Sequence, residues 1–447
     1  MASAAEQLAA NFNFGAFSKA TELKKRLWFT LGALIVYRLG TYVPLPGIDP
    51  VALNDIFSRQ GGGLIGMFDM FSGGALSRMT IFALNVMPYI SASIIMQLMT
   101  AVVPTLEELK KEGETGRKKI NQYTRYLTVL LATVQGYGIA VGLERSTSSV
   151  GSVVINPGFF FEITTVITIV GGTMFLMWLG EQITQRGVGN GISLIIFAGI
   201  VANLPAALAQ TLDLGRTGAL STALIVGLLL MVVAVIAFIV FMERAQRRIV
   251  VQYPKRQVGN RMFGGESSHL PLKLNTSGVI PPIFASSLLL LPATFAGFSG
   301  GQGPGWMTDI TAYLGRGQPG YLLIYVSLIV FFAFFYTAVV FNPSDTADNL
   351  KKYGGFVPGI RPGKNTAEYL DFVLTRLTVV GATYLSAVCI LPEILISQYA
   401  VPFYFGGTSL LIVVSVTMDT VGQIHAHMLA HQYEGLIKKS KLRGRRG

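Results

Sequence analysis

Apolar residues in this chain run together in blocks rather than alternating with polar ones. A helix that crosses the hydrocarbon core of a bilayer needs about 17–25 mostly apolar residues. Ten stretches meet that need: Leu27–Val43, Arg78–Val103, Tyr123–Leu143, Phe160–Ile183, Gly191–Leu208, Leu220–Phe241, Val279–Phe298, Tyr321–Phe341, Leu377–Ile396 and Thr408–Ala430. The pattern predicts ten membrane-spanning helices joined by polar loops.

Composition agrees. Hydrophobic residues make up 51% of the 447 and charged residues 13%, with a mean hydropathy of +0.53. Soluble domains run near a quarter charged, so this chain cannot cover a water-facing surface. Its 11% aromatic content and long apolar runs exclude intrinsic disorder. Cys389 is the single cysteine, which excludes an internal disulfide framework and a cysteine-rich metal site. The fold class expected is an all-α polytopic membrane protein.

Charge then orients the spans, because Lys and Arg concentrate in loops on the cytoplasmic side. With ten spans, alternate loops share a side. One side collects 29 of the 35 basic residues, including Lys24, Lys25 and Arg26, the run from Lys110 to Arg125, the run from Arg244 to Lys273, Lys351 to Arg376, and the tail from Lys438. The other side holds Arg59, Arg78, Arg145, Arg216 and Arg316, and Arg38 lies within the first span. Both termini are expected in the cytoplasm. Met1–Ala20 has no basic segment feeding an apolar core, so no cleavable signal peptide is expected. Ten spans divide into halves of five, and an odd number per half makes the halves point opposite ways, as in an inverted repeat with a central crevice. The expected organisation is a cytoplasmic segment over 1–26, a first half over 27–209, a second half over 210–430 with cytoplasmic loops at 242–275 and 342–377, and a basic tail over 431–447.

Several chemistries are missing. Gly359-Ile-Arg-Pro-Gly363-Lys364-Asn365 is the nearest approach to a phosphate-cradling loop, but its spacing is wrong and Asn stands where the Mg²⁺ hydroxyl belongs. Gly187-Val-Gly-Asn-Gly191 lacks dinucleotide spacing. His425, His427 and His431 cluster on the last span, but no carboxylate stands in register with them, so they read as an interface rather than a metal site. No nucleophile accompanies a base. No enzyme activity and no cofactor are expected. Arg38, Glu162 and Glu393 fall toward span ends, while Asp419 lies deeper and stays open.

Other features are present. Met87-Pro88 and Pro281-Pro282 place proline near the middle of the second and seventh spans, where it should kink the helix. Each kink reads either as packing or as a crevice; equivalent places in opposite halves favour the crevice. Val86 with Ile90, and Ile192 with Ile196, are four apart and share a helix face, although such residues fill membrane helices everywhere. Within Ser58–Gly74 the apolar piece Leu64–Phe71 is too short to span, and Gly61–Gly63 and Gly73-Gly74 flank it as expected hinges. It reads as a re-entrant plug or as a loop lying on the membrane. In the loop 242–275, Ile249-Val250-Val251 predicts a short strand and a possible hairpin. The basic residues there either set topology or dock RNA phosphate or an acidic protein surface.

These residues carry a family likeness. Tyr37-Arg-Leu-Gly-Thr-Tyr-Val-Pro-Leu-Pro-Gly-Ile-Asp49, Met70-Phe-Ser-Gly-Gly-Ala-Leu76, Met87-Pro-Tyr-Ile-Ser-Ala-Ser-Ile94, Gly189-Asn-Gly-Ile-Ser193, His269-Leu-Pro-Leu-Lys273, Phe356-Val-Pro-Gly-Ile-Arg-Pro-Gly363 and Gln432-Tyr-Glu434 resemble, in order, the bacterial SecY family of Sec translocon channel subunits. The resemblance implies ten helices in two inverted five-helix halves around an hourglass pore. It implies a pore ring of Val86, Ile90, Ile192, Ile196, Ile283 and Ile412, with Val at the first place a departure that widens the ring slightly. It implies a plug over 61–74 with Leu64, Ile65, Met67, Phe68, Met70 and Phe71, and a lateral gate between the second and seventh spans with the third beside it, marked by Ser91, Gln135, Pro281 and Pro282. Arg247, Arg248, Lys255, Arg256 and Arg361 would dock the ribosome or the motor ATPase SecA. SecE and SecG would be membrane partners, signal sequences and preprotein chains the passengers, and membrane lipids the outlet. Two other readings remain: a secondary transporter with inverted five-span repeats, which needs intramembrane charge such as Asp419, and a ribosome receptor without a pore.

Overall fold

The structure is a computed structural model, and it describes residues 21–60, 69, 71–148, 151–218, 221–253, 256–258, 261–263, 267–298, 318–399 and 407–443. Each expected span coincides with one helix. In chain order the helices are α1 (Thr21–Gly40), α2 (Pro50–Gln60), α3 (Met87–Val102), α4 (Pro104–Lys111), α5 (Glu114–Arg145), α6 (Phe159–Arg186), α7 (Gly191–Arg216), α8 (Thr222–Arg244), α9 (Ile280–Phe298), α10 (Pro319–Val340), α11 (Pro343–Lys352), α12 (Lys364–Tyr399) and α13 (Gly407–Arg443). Of these, α2, α4 and α11 are short connectors; the other ten are the spans.

By length and composition, seven helices among the described residues are apolar enough to cross a membrane: α5, α6, α7, α8, α10, α12 and α13. The other three spans fall short for local reasons. α1 carries Lys24, Lys25 and Arg26 at one end and Arg38 at the other. α3 has 16 residues and turns by 98° into α4 at Val103–Pro104, where the missing proline N–H ends one helix and starts the next. α9 is apolar over Ile280–Leu289, a short stretch.

The helix pairings repeat with an offset of five spans. In the first half α3 packs on α5, α5 on α6, α6 on α7, and α1 on α7. In the second, α9 packs on α10, α10 on α12, α12 on α13, and α8 on α13. Corresponding spans run in opposite directions, so this is the contact pattern of an inverted repeat. α7 runs through 209/210 to Arg216, with Pro205 accommodated inside the helix.

The largest buried cluster lies between the halves. It draws Tyr37 from α1, Ile90 from α3, Leu176 from α6, Ile196 from α7, Phe284 from α9, Ile329 from α10, Leu385 from α12 and Ile412 from α13. Large apolar side chains stay exposed, among them Trp28, Phe160 and Leu230, as on a surface covered by lipid or by membrane partners.

On the basic side, β3 (Gln246–Gln252) and β6 (Ser267–Lys273) form the antiparallel hairpin that Ile249-Val250-Val251 predicts, with Ile249 opposite Leu270 and Arg248 opposite Pro271. Between them in sequence, β4 (Arg256–Val258) and β5 (Arg261–Phe263) pair as a separate antiparallel two-stranded sheet. On the other side, β1 (Thr147–Ser148) and β2 (Gly151–Ser152) make a small hairpin near α2.

Candidate functional site

The six aliphatic residues expected as a pore ring lie at the starts of four helices. Val86 is the N-cap of α3 and Ile90 follows one turn on; Ile192 and Ile196 lie in the first two turns of α7, Ile283 in the first turn of α9, and Ile412 in the second turn of α13. All six belong to the large central cluster. Val86, Ile90, Ile196 and Ile412 are buried, while Ile192 and Ile283 pack against the cluster and keep some exposure. The four helices are two corresponding pairs, α3 with α9 and α7 with α13. Asn190 sets the start of α7, its side chain accepting from the amides of Ile192 and Ser193 at 3.2 and 3.4 Å.

The prolines do not kink continuous helices. Pro88 lies in the first turn of α3, and Pro281 and Pro282 lie in the first turn of α9. A first-turn residue has no intrahelical acceptor for its N–H, so proline loses nothing there. The second apolar run is therefore irregular through Val86 and helical from Met87, with Asn85 at φ +49°.

Of the expected plug residues, Leu64, Ile65, Met67, Phe68 and Met70 lie outside the described residues, and Phe71 is buried in the central cluster. The Gly73-Gly74 pair is not the free hinge its composition predicts. Four successive carbonyls are each held by a side chain: Phe71 O accepts from Asn85 Nδ2 at 2.7 Å, Ser72 O from Tyr37 OH at 3.3 Å, Gly73 O from Arg38 Nη1 at 2.7 Å and Arg78 Nη2 at 2.9 Å, and Gly74 O from Arg78 Nε at 2.8 Å. Tyr42 lies beneath both guanidinium groups. Both glycines adopt positive φ, and a Cβ on Gly199 of α7 would collide with Phe71 O. The strip 71–74 is an anchored root.

The expected gate helices do meet. α9 packs against both α3 and α5. Ser91, Gln135, Pro281 and Pro282 are all buried. On the same three helices, the Gln97 Oε1, Gln135 Oε1 and Ser287 Oγ atoms are buried without a hydrogen-bond partner.

The two basic-side loops fold as one unit. Gln252 exchanges both backbone hydrogen bonds with Phe356, at 2.9 and 3.0 Å. Ile249, Leu272, Val357, Leu370, Val373 and Leu377 form a separate small core beneath. Arg247, Arg248 and Arg361 are exposed around it. Arg361 contributes its carbonyl to the fold, accepting from Thr366 Oγ1 at 2.9 Å. Lys255 lies outside the described residues, and for Arg256 the backbone alone is described, in β4.

A sequence model of the SecY family matches residues 80–421, a span that contains all six of these aliphatic residues. The chain belongs to the SecY family. Among its relatives, the protein translocase subunit SecY of Rickettsia conorii is 57% identical over 429 residues, covering 96% of this chain and 99% of that one. The SecY subunit of Escherichia coli strain K12 is 59% identical over 424 residues, covering 95% and 96%. Among solved structures, a protein-conducting channel superposes with a TM-score of 0.66 at 16% identity, covering 91% of this chain and 92% of that one. A Sec61 channel from a canine ribosome–channel complex gives 0.63 at 16% identity, with the same coverage. These structural matches show that the SecY fold is shared.

Sequence reasoning missed the residues that anchor the 71–74 strip. Tyr37 and Arg38 stand about 35 positions away from the carbonyls they hold, a separation at which no local pattern operates. Asn85 offered a faint signal, as a polar residue inside an apolar run. The bidentate pair between Arg125 on α5 and Glu181 on α6, at 2.7–3.1 Å, was likewise invisible at a separation of 56.

Proposed function

We infer that this protein is a protein-conducting channel of the bacterial cytoplasmic membrane. Unfolded preproteins pass through it, and signal or transmembrane segments leave it sideways into lipid. The observation that carries the reading is that six aliphatic side chains, from corresponding helix starts in both halves, lie in or against one buried cluster.

Physical chemistry supports that use. A conduit for arbitrary polypeptides must admit every residue type, so it cannot rely on specific polar contacts. Val86, Ile90, Ile192, Ile196, Ile283 and Ile412 would make a deformable ring that holds no passenger strongly and dewets when empty. The 61–74 segment would close it from outside, rooted at Phe71–Gly74. The gate would be the seam of α3 and α5 against α9, where Ser91 and Gln135 lie buried. An apolar signal segment gains roughly 0.3–0.6 kcal/mol per central Leu, Ile, Phe or Val on reaching lipid, which favours a sideways exit.

Driving force would come from outside, from the motor ATPase SecA or the ribosome, received by Arg247, Arg248, Lys255, Arg256 and Arg361 on cytoplasmic loops. SecE and SecG would be the membrane partners, and both termini would lie in the cytoplasm. The transporter reading needs intramembrane charge such as Asp419; the near-full-length likeness to SecY translocase subunits favours the channel over it. The test is a cysteine at Ile283 probed against a secretory chain arrested in transit. A crosslink is expected; its absence while arrested chains accumulate would overturn the assignment.

A further inference from the structure

Arg38, near the end of α1, and Arg78 converge on one atom. Both donate to the Gly73 carbonyl, from Nη1 at 2.7 Å and from Nη2 at 2.9 Å. Both lie against the Tyr42 ring, with their guanidinium carbons 5.1 and 4.2 Å from its centroid. Arg38 also donates from Nη2 to Tyr42 OH at 3.0 Å and from Nη1 to Thr41 Oγ1 at 3.4 Å, and Arg78 from Nε to Gly74 O at 2.8 Å. Each of these partners is an uncharged carbonyl or hydroxyl. Among the described residues neither arginine enters an ion pair. Asp69, the acidic residue nearest Arg78 in the chain, accepts from the Ser77 amide at 2.7 Å. Arg38 Nε and Arg78 Nη1 are left for another acceptor.

The surroundings of this pair are apolar. An arginine that snorkels carries its head out to water. These two turn back onto the 73–74 strip instead and are half-buried. On the same helix Leu31, Ile35 and Leu39 are exposed and recur every fourth residue, so they share one face. That stripe starts beyond Lys24 and Lys25 and leads to the opposite end of α1, where exposed Tyr42 follows. Tyrosine favours the level of the lipid headgroups. Two adjacent cations at the head of an apolar stripe call for an anion that carries an apolar tail.

We propose that Arg38, Arg78 and Tyr42 bind the phosphate of a phospholipid in the leaflet away from the basic loops, with an acyl chain lying along Leu31, Ile35 and Leu39. A phosphodiester offers two unesterified oxygens that share one negative charge. Guanidinium groups match such oxygens with charge-assisted N–H donors, and the phosphate balances charge that the Gly73 and Gly74 carbonyls cannot. The same two side chains hold the 71–74 strip, so a bound lipid steadies the anchors of that strip. The site goes beyond the channel reading and does not depend on what passes through the protein.

The test uses the full chain in maltoside detergent, which contains no phosphate. Ile35→Cys carries a bimane fluorophore beside the site, and Leu229→Cys carries one on exposed α8 as a reference; native Cys389 is buried and does not compete. Quenching is titrated with brominated phosphatidylglycerol and with brominated diacylglycerol, which has the same chains and no phosphate. The preference for the phospholipid at position 35 should exceed that at position 229 about tenfold, equivalent to about 1.4 kcal/mol. Tyr42→Glu places a carboxylate beneath both guanidinium groups while sparing their bonds to Gly73 and Gly74, and should bring position 35 level with position 229. Tyr42→Phe, which keeps the ring, should retain the preference. Excess inorganic phosphate, compared with chloride at equal ionic strength, should not displace the lipid. Equal preference at positions 35 and 229 in the parent overturns the site, and this comparison needs no change among the three binding residues. A preference that survives Tyr42→Glu in folded protein also overturns it. Displacement by inorganic phosphate marks a site for the free anion and overturns the lipid.

Discussion

Asn85 Nδ2 donates to the carbonyl of Phe71 across 2.7 Å, and both residues are buried. The bond ties the start of α3, where Val86 of the proposed ring stands, to the strip that would root the proposed plug. Replacing Asn85 by Ala leaves that carbonyl without the donor and costs roughly 1–3 kcal/mol of closed-state stability. The expected outcome is a higher ion conductance through resting channels in planar bilayers. Conductance equal to the parent would show that the bond does not help hold the seal.

The anchored root also divides the plug. Deleting 64–70 removes the apolar piece and leaves the four held carbonyls of 71–74 in place. Deleting 64–74 also removes the carbonyls that accept from Tyr37, Arg38, Arg78 and Asn85. Both deletions should raise resting leakage. The longer one alone should lower the unfolding temperature of detergent-solubilised protein, and equal unfolding temperatures would count against a structural root.

How much of this was legible in the sequence follows range of interaction. Spans are a property of contiguous composition, so all ten were readable from apolar runs. The hairpin was readable from Ile249-Val250-Val251 because β pattern is local. Pro88 and Pro281-Pro282 were visible, but their role was not: whether proline kinks a helix or begins one depends on the backbone before it, here Asn85 at positive φ. Gly73-Gly74 misled for a related reason. Glycine permits a hinge, but Arg38 and Arg78, placed by tertiary folding, decide that it is fixed. The pairs Val86/Ile90 and Ile192/Ile196 were visible as helix neighbours, yet only the fold puts them in or against one buried cluster with Ile283 and Ile412.

Arg361 offers a clean test of docking. Its side chain is exposed, and the fold uses its carbonyl rather than its guanidinium. Arg361→Glu should therefore leave insertion and thermal stability unchanged while reversing the charge a partner meets. Motor-driven export should fall at least tenfold, the loss that about 1.4 kcal/mol of docking energy produces. Export at the parental rate would remove Arg361 from the docking face.

Docking on the proposed surface should also depend on the core that the two basic-side loops share. A Cβ on Gly355 would stand 2.9 Å from Tyr253 Cε1 and 3.1 Å from Val251 Cγ1. Gly355→Val should push the Phe356 segment off Gln252 and break the two backbone bonds between the loops. Ribosome binding in cosedimentation should weaken although every Arg and Lys remains. Binding of parental strength would mean that the basic residues act without the scaffold beneath them.

Ile412 allows the ring to be tested by energy as well as by loss. It is 2% exposed within the central cluster, so an amide placed there without a partner costs the closed state roughly 1–3 kcal/mol. A signal segment lacking three central leucines forfeits roughly 1–2 kcal/mol of insertion energy. The two quantities are comparable, so Ile412→Asn should let such a shortened signal open the channel, whereas Ile412→Leu, which keeps volume and apolarity, should not. The measurement is export of a reporter carrying full-length or shortened signals in the three variants. If Ile412→Asn exports only the full-length signal, as the parent does, Ile412 does not help set the opening threshold.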